Sequence, residues 1–178
     1  MALMNVLAVP HPDLYKLCEE VPEVTDEIRT LMDDMLETMR EHDGGGLAAN
    51  QVGVLKRIVV MSVGESNTID EEYPSELQNL TLKMVNPKII NYSKEMNIFE
   101  EGCLSVPGQR VPLERPVAVT VTFLDESNTT QTLKLDGYLG RCIQHELDHL
   151  EGKTTLEHMS KLKKQMALRR IKKDLMQK

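Results

Sequence analysis

The chain has 178 residues with 40% hydrophobic and 28% charged residues and a net charge of −7, the profile of an ordinary globular protein. Collagen-like, low-complexity and membrane-spanning classes are excluded, since no apolar run approaches the ~20 residues that cross a bilayer. The acidic balance argues against general nucleic-acid binding. We therefore expect one domain over residues 1–178, with no membrane partner and no sequence-specific nucleic-acid partner.

The first residues have no basic region and are interrupted by Pro10 and Pro12, so they do not resemble a secretion signal. Three cysteines are an odd and sparse set that does not suggest a disulfide framework, so we expect a cytoplasmic protein. Apolar residues at helical spacing predict a helix over 25–42, which Gly44, Gly45 and Gly46 end. β-branched residues predict a strand over 57–63. The acidic segment 64–80 is expected to be a surface loop, and short strand signals follow at 82–85 and 88–92.

The second half of the chain predicts two strands and two helices. Strands over 117–124 and 130–135 are joined by a turn at 125–128, and helices follow over 137–151 and from 160 to the end. These elements predict the α+β class. We expect small mixed or antiparallel sheets packed around a central helix at 137–151, with an N-terminal and a C-terminal helix.

The central helix carries a metal-ligand pattern. His145 and His149 are four residues apart, so both imidazoles lie on one face and can bind one metal ion. Glu146 can reach a water molecule on that ion, and it lies beside an apolar face where an unpartnered carboxylate is costly. The alternatives are two packed histidines and an ordinary salt bridge of Glu146. The apolar face consists of Leu139, Ile143, Leu147 and Leu150.

A catalytic metal site needs a third protein ligand, and two cysteines are candidates. Cys142 shares the helix face, but at 1.5 Å per residue it lies about 10 Å along the axis from His149, so core packing explains it better. Cys103 lies in a loop or strand end beside Gly102, from which a thiolate can approach the helix. On this segment alone, a buried inert cysteine is an equally good interpretation of Cys103.

Three segments together resemble the three motifs of peptide deformylase, in the same order. They are GGGLAANQ at 44–51, EGCLS at 101–105 and QHELDH at 144–149. The resemblance extends over nearly the whole chain. It implies a metal-dependent hydrolase that removes the formyl group from the N-terminal formylmethionine of newly made polypeptides and releases formate.

The resemblance also implies a role for each matching residue. It implies one divalent metal ion with a metal-bound water as the nucleophile, and its ligands are Cys103, His145 and His149. It makes Glu146 the general acid/base, assigns Gln51 and the backbone N–H of Leu104 to the developing oxyanion, and places Gly46 in the substrate-contacting loop. One thiolate and two imidazoles suit Fe(II), Zn, Ni or Co. We expect Fe(II) in the cell.

Two residues depart from the family pattern. Gly45 stands where a branched apolar residue is usual, and Arg141 stands where many relatives carry an apolar residue and some carry Arg. Both are expected near the methionine side chain of the substrate, so we expect a looser or more polar pocket. The acidic segment 64–80 is also longer than in compact members.

Two other classes remain open from the residues alone. A zinc peptidase of the HExxH type draws its third ligand from downstream of the helix, where Glu151, Glu157 and His158 are candidates. None of them continues the pattern typical of such peptidases. A non-catalytic, metal-stabilised binding module needs four protein ligands, and no second Cys/His pair stands outside the helix.

The C-terminal segment 161–178 is basic, with eight Lys or Arg residues and one Asp in an otherwise acidic protein. This asymmetry predicts a polyanionic partner, and Leu168, Ile171 and Leu175 are expected to dock the helix on the body. The family resemblance points to the ribosome, near the exit of formylated nascent chains. The alternative is a solvated helix that only balances the acidic body.

Overall fold

The structure is a computed structural model that describes residues 2–62 and 80–177. The described chain forms helices α1 (Asp26–Glu41), α2 (Gly137–Leu150) and α3 (Lys161–Leu175). Its strands are β1 (Gly46–Ala48), β2 (Ile58–Ser62), β3 (Thr81–Tyr92), β4 (Met96–Glu101), β5 (Val111–Pro116), β6 (Ala118–Leu124) and β7 (Thr130–Asp136). The predicted acidic loop, apart from Leu80, lies outside the described residues.

The strands form two antiparallel sheets, which confirms the predicted α+β class. A five-stranded sheet has the order β1-β2-β3-β6-β7, and β4 and β5 form a separate hairpin. The hairpin leads from β4 into the turn that contains Cys103. The sheet order puts β1 at one edge of the large sheet.

The large sheet is packed between α1 and α2. Alternate residues of β2 point to opposite faces: Val59 and Met61 pack in the core that includes α2, while Ile58 and Val60 pack in the core that includes α1. Because both faces are covered, every residue of β2 is buried. Helix α2, which carries both histidines, is thereby held against the sheet by Leu139, Ile143 and Leu150.

Several elements differ from the sequence prediction. The two strand signals at 82–85 and 88–92 are one strand, β3, whose pairing with β6 is interrupted between Val85 and Lys88. Asn86 has a φ of 52° and Pro87 follows it, so the regular ladder cannot pass through this point. The sequence analysis missed β1, β4 and β5.

Helix α3 packs through its middle turns. Ala167 and Ile171 are buried in a cluster with Val9, Leu14 and Leu156, and Leu168 is partly buried there. Leu175 is 47% exposed, so the prediction that it docks the helix is wrong. It lies in the last turn, beyond the turns that contact the body. Within residues 2–62 and 80–177, no helix combines the length and apolar character needed to cross a membrane.

Candidate metal centre

The fold brings the three candidate ligands together from two parts of the chain. His145 and His149 lie on α2, and Cys103 lies in the turn after β4. One ligand atom from each residue lies within 4.8 Å of the other two. Cys103 Sγ is 3.2 Å from His149 Nε2, and the imidazole centroids are 5.1 Å apart. One thiolate and two imidazoles at these separations suit a divalent ion with N and S ligands.

Glu101 orients His145 through Nδ1 of the imidazole ring. Its Oε2 accepts a hydrogen bond from His145 Nδ1 at 2.8 Å, which leaves Nε2 for a metal ion. Its Oε1 accepts from Arg115 Nε at 2.6 Å and from Arg141 Nη1 at 2.7 Å. Burial alone would raise the pKa of Glu101, but hydrogen bonds from His145 and Arg115 hold that pKa well below its ordinary range. Glu101 is therefore an ionised carboxylate.

The two histidines have opposite electrostatic surroundings although they are one turn apart. Burial lowers the pKa of His145, but the adjacent Cys103 and Glu101 raise it more, so the pKa lies well above its ordinary value. Burial and the neighbouring His145 hold the pKa of His149 well below its ordinary value. His149 is thus a neutral imidazole, the form that binds metals. The surroundings of His145 favour positive charge, whether a proton or a metal cation.

Glu146, which directly follows His145 on α2, is buried. Burial raises the pKa of Glu146 to about 7, against the opposing effect of His145. Its Oε2 is buried, with no hydrogen-bond partner among the described residues. A carboxyl group with a pKa near neutrality is suited to proton transfer. A buried carboxylate oxygen that no protein donor satisfies fits a site where a small polar molecule binds.

Gly46 allows β1 to pass directly beside Glu146. A Cβ atom at position 46 would lie 2.5 Å from Glu146 Oε1 and 2.6 Å from Cys142 Sγ. Any larger residue at this position therefore pushes either the strand or the carboxylate out of place. This close approach explains why glycine stands at position 46, in addition to any role in ending helix α1.

The two predicted oxyanion donors lie next to Cys103. Gln51 is buried, and its Oε1 accepts from the backbone N–H of Ala48 at 2.8 Å. This bond directs Gln51 Nε2 toward Ser105 Oγ at 3.1 Å, with Cys103 Sγ at 3.8 Å. Leu104 directly follows Cys103, and its side chain packs beside the core of α1. The Gln51 amide is thus held with its donor group toward the sulfur.

The remaining ligand candidates are engaged elsewhere. Cys142 packs in the core between α2 and the sheet, as predicted. The downstream candidates each form an ion pair with another residue: Glu151 with Arg57, Glu157 with Lys164, and His158 with Asp148. The third candidate ligand therefore comes from upstream of the helix, which does not favour an HExxH peptidase. A closed four-ligand module is not favoured either, because the described cluster has three members.

Comparison with known proteins decides the family. The family model described as polypeptide deformylase matches residues 3–165. The chain belongs to the polypeptide deformylase family. The peptide deformylase of Rickettsia akari (strain Hartford) is 43% identical over 173 residues, which are 97% of each chain. That of Wolbachia pipientis wMel is 44% identical over 173 residues, 97% of this chain and 96% of the relative.

Solved structures of deformylases agree with this assignment. The crystal structure of peptide deformylase from Ehrlichia chaffeensis has a TM-score of 0.90 and 41% identity, and the match covers 99% of this chain and 98% of that one. Its complex with actinonin has a TM-score of 0.89 and 42% identity, with 98% of each chain covered. The chain is accordingly a metal-dependent hydrolase that removes formyl groups.

Local contacts in the structure explain the two residues that depart from the deformylase family pattern, Arg141 and Gly45. The Arg141 guanidinium donates to Glu101 Oε1, to Asn97 O at 3.0 Å and to Leu113 O at 3.2 Å. Its charge thus belongs to the network that holds His145. At Gly45, a Cβ atom would lie 1.7 Å from Tyr138 Oη. The space next to Gly45 is therefore filled by a side chain from α2.

Sequence reasoning did not find the polar residues that support this deformylase site. Glu101 stands inside one of the quoted motifs, and its position two residues before Cys103 was the available signal. Arg115 lies on β5, which the sequence analysis missed, and it also contacts Asp148 Oδ2 at 3.0 Å. Asn50 Nδ2 donates to the carbonyl of His149 at 2.6 Å, which joins the segment after β1 to the end of α2.

Proposed function

We propose that this deformylase acts on the formylmethionine of newly made polypeptides in the cytoplasm, and that Fe(II) is its metal ion in the cell. The observation that carries the proposal is the convergence of Cys103, His145 and His149 beside a buried carboxylate, Glu146, that has an unpartnered oxygen. A divalent ion bound there supplies a Lewis acid that makes a water molecule nucleophilic near neutral pH.

We assign the remaining chemistry to residues around these ligands. Glu146 accepts the proton of the attacking water and delivers it to the leaving amine, a transfer that its raised pKa supports. Gln51 and the backbone N–H of Leu104 donate to the oxyanion that develops on the formyl oxygen. Gly46 lets the substrate and β1 approach Glu146 closely. This role is supported by the lack of space for a side chain, since a Cβ atom at position 46 would lie 2.5 Å from Glu146 Oε1.

Formate release from formyl-Met-Ala-Ser by anaerobically purified, metal-quantified protein tests the proposal. Glu146→Gln is expected to keep the metal and to lose ~10²–10⁴-fold in kcat, the range for general acid/base groups. The matched control is Glu114→Gln, an exposed carboxylate on β5. Metal-replete protein that leaves formyl-Met-Ala-Ser intact would contradict the proposal, and equal activity of both variants would contradict the role of Glu146. Loss of activity in air, restored by Fe(II), supports iron.

We further propose that α3 binds the ribosome through its cationic face. Ala167 and Ile171 anchor the helix, while most of its lysines and arginines are exposed. Truncation would remove these anchors from the core, so neutralisation of exposed residues is the cleaner test. The test variant changes four residues to Gln, at Arg169, Arg170, Lys172 and Lys173. The control variant changes four exposed lysines of the body, at Lys56, Lys88, Lys94 and Lys134.

Co-sedimentation with ribosomes at low salt is expected to fall by ~10-fold or more for the α3 variant, since each lost phosphate contact reduces counterion release. The control variant is expected to retain most of its binding. Equal co-sedimentation of the two variants would mean that α3 is only a solvated helix. Both variants should retain formate release from short peptides.

A further inference from the structure

His158 lies at the outer end of a series of polar contacts that begins at the candidate ligand His145. Its Nε2 donates to Asp148 Oδ2 at 2.9 Å, and the same oxygen lies 3.0 Å from Arg115 Nη2. Arg115 also donates to Glu101, whose Oε2 accepts from His145 Nδ1 at 2.8 Å. Asp148, Arg115 and Glu101 thus form a relay between His158 and the metal centre.

The Arg115 Nη2 group is shared between the two carboxylates of the relay. It lies 3.0 Å from Glu101 Oε2 and 3.0 Å from Asp148 Oδ2. Glu101 Oε2 therefore accepts from Arg115 and from His145 at the same time. If Asp148 left Arg115, the Nη2 group would turn fully toward Glu101 Oε2 and compete with His145 for that oxygen. The hydrogen bond that orients the His145 ring would then weaken.

Asp148 is the member of the relay that packing restrains least. Its side chain is 25% exposed, whereas the side chains of Arg115 and Glu101 are 8% and 5% exposed. A carboxylate with this access to water can rotate away from its partner at small cost. The hydrogen bond from His158 restrains Asp148 in the rotamer that contacts Arg115.

The short 3₁₀ helix that ends at His158 holds this histidine in place. Leu156 is fully buried, and the Thr154 hydroxyl accepts from the Leu156 N–H at 3.3 Å. The Glu157 carboxylate accepts from the Thr154 N–H at 2.7 Å and also pairs with Lys164 of α3. The His158 ring therefore projects from a segment that is attached to the core and to α3, a restraint that a pair of free surface side chains lacks.

We propose that His158 is a positioning residue of the deformylase site, which acts on the His145 ring through the relay. The inference rests on the ligand assignment of the proposed function. In this role His158 touches no reacting atom, and it keeps Asp148 in contact with Arg115. The carboxylate of Glu101 then stays available to the imidazole. The alternative is a surface ion pair that only attaches the short helix to α2.

The experiment compares His158→Ala with His158→Gln, whose amide nitrogen can still donate to Asp148. The control is His11→Ala, because the His11 side chain is 41% exposed, against 37% for His158, and lies 3.9 Å from the carboxylate of Asp13. For each protein, we would measure Zn(II) affinity by competition with a chelator, and kcat and KM with formyl-Met-Ala-Ser. NMR would follow the resonance of the His145 Nδ1 proton with and without Zn(II).

His158→Ala is expected to weaken Zn(II) affinity by ~3–10-fold, less than the ~10–100-fold that follows loss of a direct partner of a ligand. The loss of activity should appear in kcat, with KM within ~2-fold, because His158 does not bind the substrate. The His145 proton resonance should move upfield as its hydrogen bond weakens. His158→Gln should restore all three values. If His158→Ala equalled His11→Ala in affinity and in the resonance, the inference would be overturned.

A double-mutant cycle with Glu101→Gln tests the route of the effect. In that background, His158→Ala should change Zn(II) affinity by less than ~2-fold, because the carboxylate that transmits the effect is absent. Losses that multiply would mean that His158 acts by another route, and would reject the relay. If Glu101→Gln did not fold, the His145 resonance of the single variants would decide, since a purely structural His158 leaves it unchanged.

The wild-type measurements separate this inference from the proposed function. A wild type that bound no Zn(II) or released no formate would contradict the proposed function. The Nδ1 resonance of the metal-free protein would still report whether His158 fixes the His145 ring. A resonance that is shifted in His158→Ala and restored in His158→Gln supports the relay, and an unchanged resonance rejects it.

Discussion

Glu101→Gln is the substitution for which the structure predicts the largest effect outside the ligands themselves. The Glu101 carboxylate accepts from His145, Arg115 and Arg141, and the Arg115 and Arg141 side chains are only 8% and 11% exposed. Glutamine keeps the shape but removes the charge, and one of its terminal atoms becomes a donor that faces other donors. Two buried guanidinium groups then lose their shared anion.

The magnitude follows from what each partner retains. Removal of one member of a buried ion pair typically costs ~3–5 kcal/mol. Arg115 keeps Asp148 at 3.0 Å, and Arg141 keeps the Asn97 and Leu113 carbonyls, so we expect the lower end, about 3 kcal/mol. This is a large part of a typical ~5–15 kcal/mol free energy of unfolding. Loss of the His145 orientation should also weaken metal binding by ~10–100-fold.

Urea unfolding at neutral pH measures the free energy of unfolding, and a competition titration with a chelator measures metal affinity. The matched control is Glu100→Gln, because Glu100 is the adjacent residue on β4 and is exposed. The control should change the free energy of unfolding by less than ~0.5 kcal/mol. If Glu101→Gln resembled Glu100→Gln in both measurements, the reasoning that this carboxylate supports the site would be refuted.

Two further predictions follow from the same site. Folding lowers the pKa of Glu101 from 4.5, so the stabilisation that this carboxylate contributes is complete at neutral pH and is lost as the pH falls below ~4.5. In unfolding titrations, acid should therefore destabilise the wild type more than the Glu101→Gln variant. Parallel curves of the unfolding free energy against pH would contradict this. Cys103→Ser should lower the metal content measured by mass spectrometry, whereas Cys142→Ser should not, and the reverse result would show that the third ligand is wrongly assigned.

Local patterns predicted the helices and strands β2, β6 and β7 well. Helix α1 begins after Thr25, whose hydroxyl accepts from the Ile28 N–H, and α2 ends within one residue of the predicted boundary. Helical periodicity alone was enough to predict that His145 and His149 lie on one face of α2. The resemblance to the three motifs identified Cys103 as the third candidate ligand, because the sequence segment alone did not distinguish a metal ligand from an inert buried cysteine.

The hairpin was missed because its residues carry no usable strand signal. In β4, Ile98 and Phe99 are exposed, so no alternation of buried and exposed residues marks the strand. In β5, Pro112 and Pro116 argue against a strand, although Val111 and neighbouring alternate residues are buried. A two-stranded hairpin tolerates proline because one edge of each strand needs no ladder partner.

The missed hairpin also explains why the supporting network of the site could not be derived from the sequence. Glu101 is the last residue of β4 and pairs in register with Val111 of β5, while its carboxylate contacts Arg115 of β5 and His145 of α2. The same side chain therefore joins the hairpin to the helix and fixes the ring of one candidate ligand. Cys103 follows two residues later, so the ion pair that attaches the hairpin also positions the sulfur. Glu101 therefore links the packing of the hairpin onto α2 to the arrangement of the candidate metal ligands.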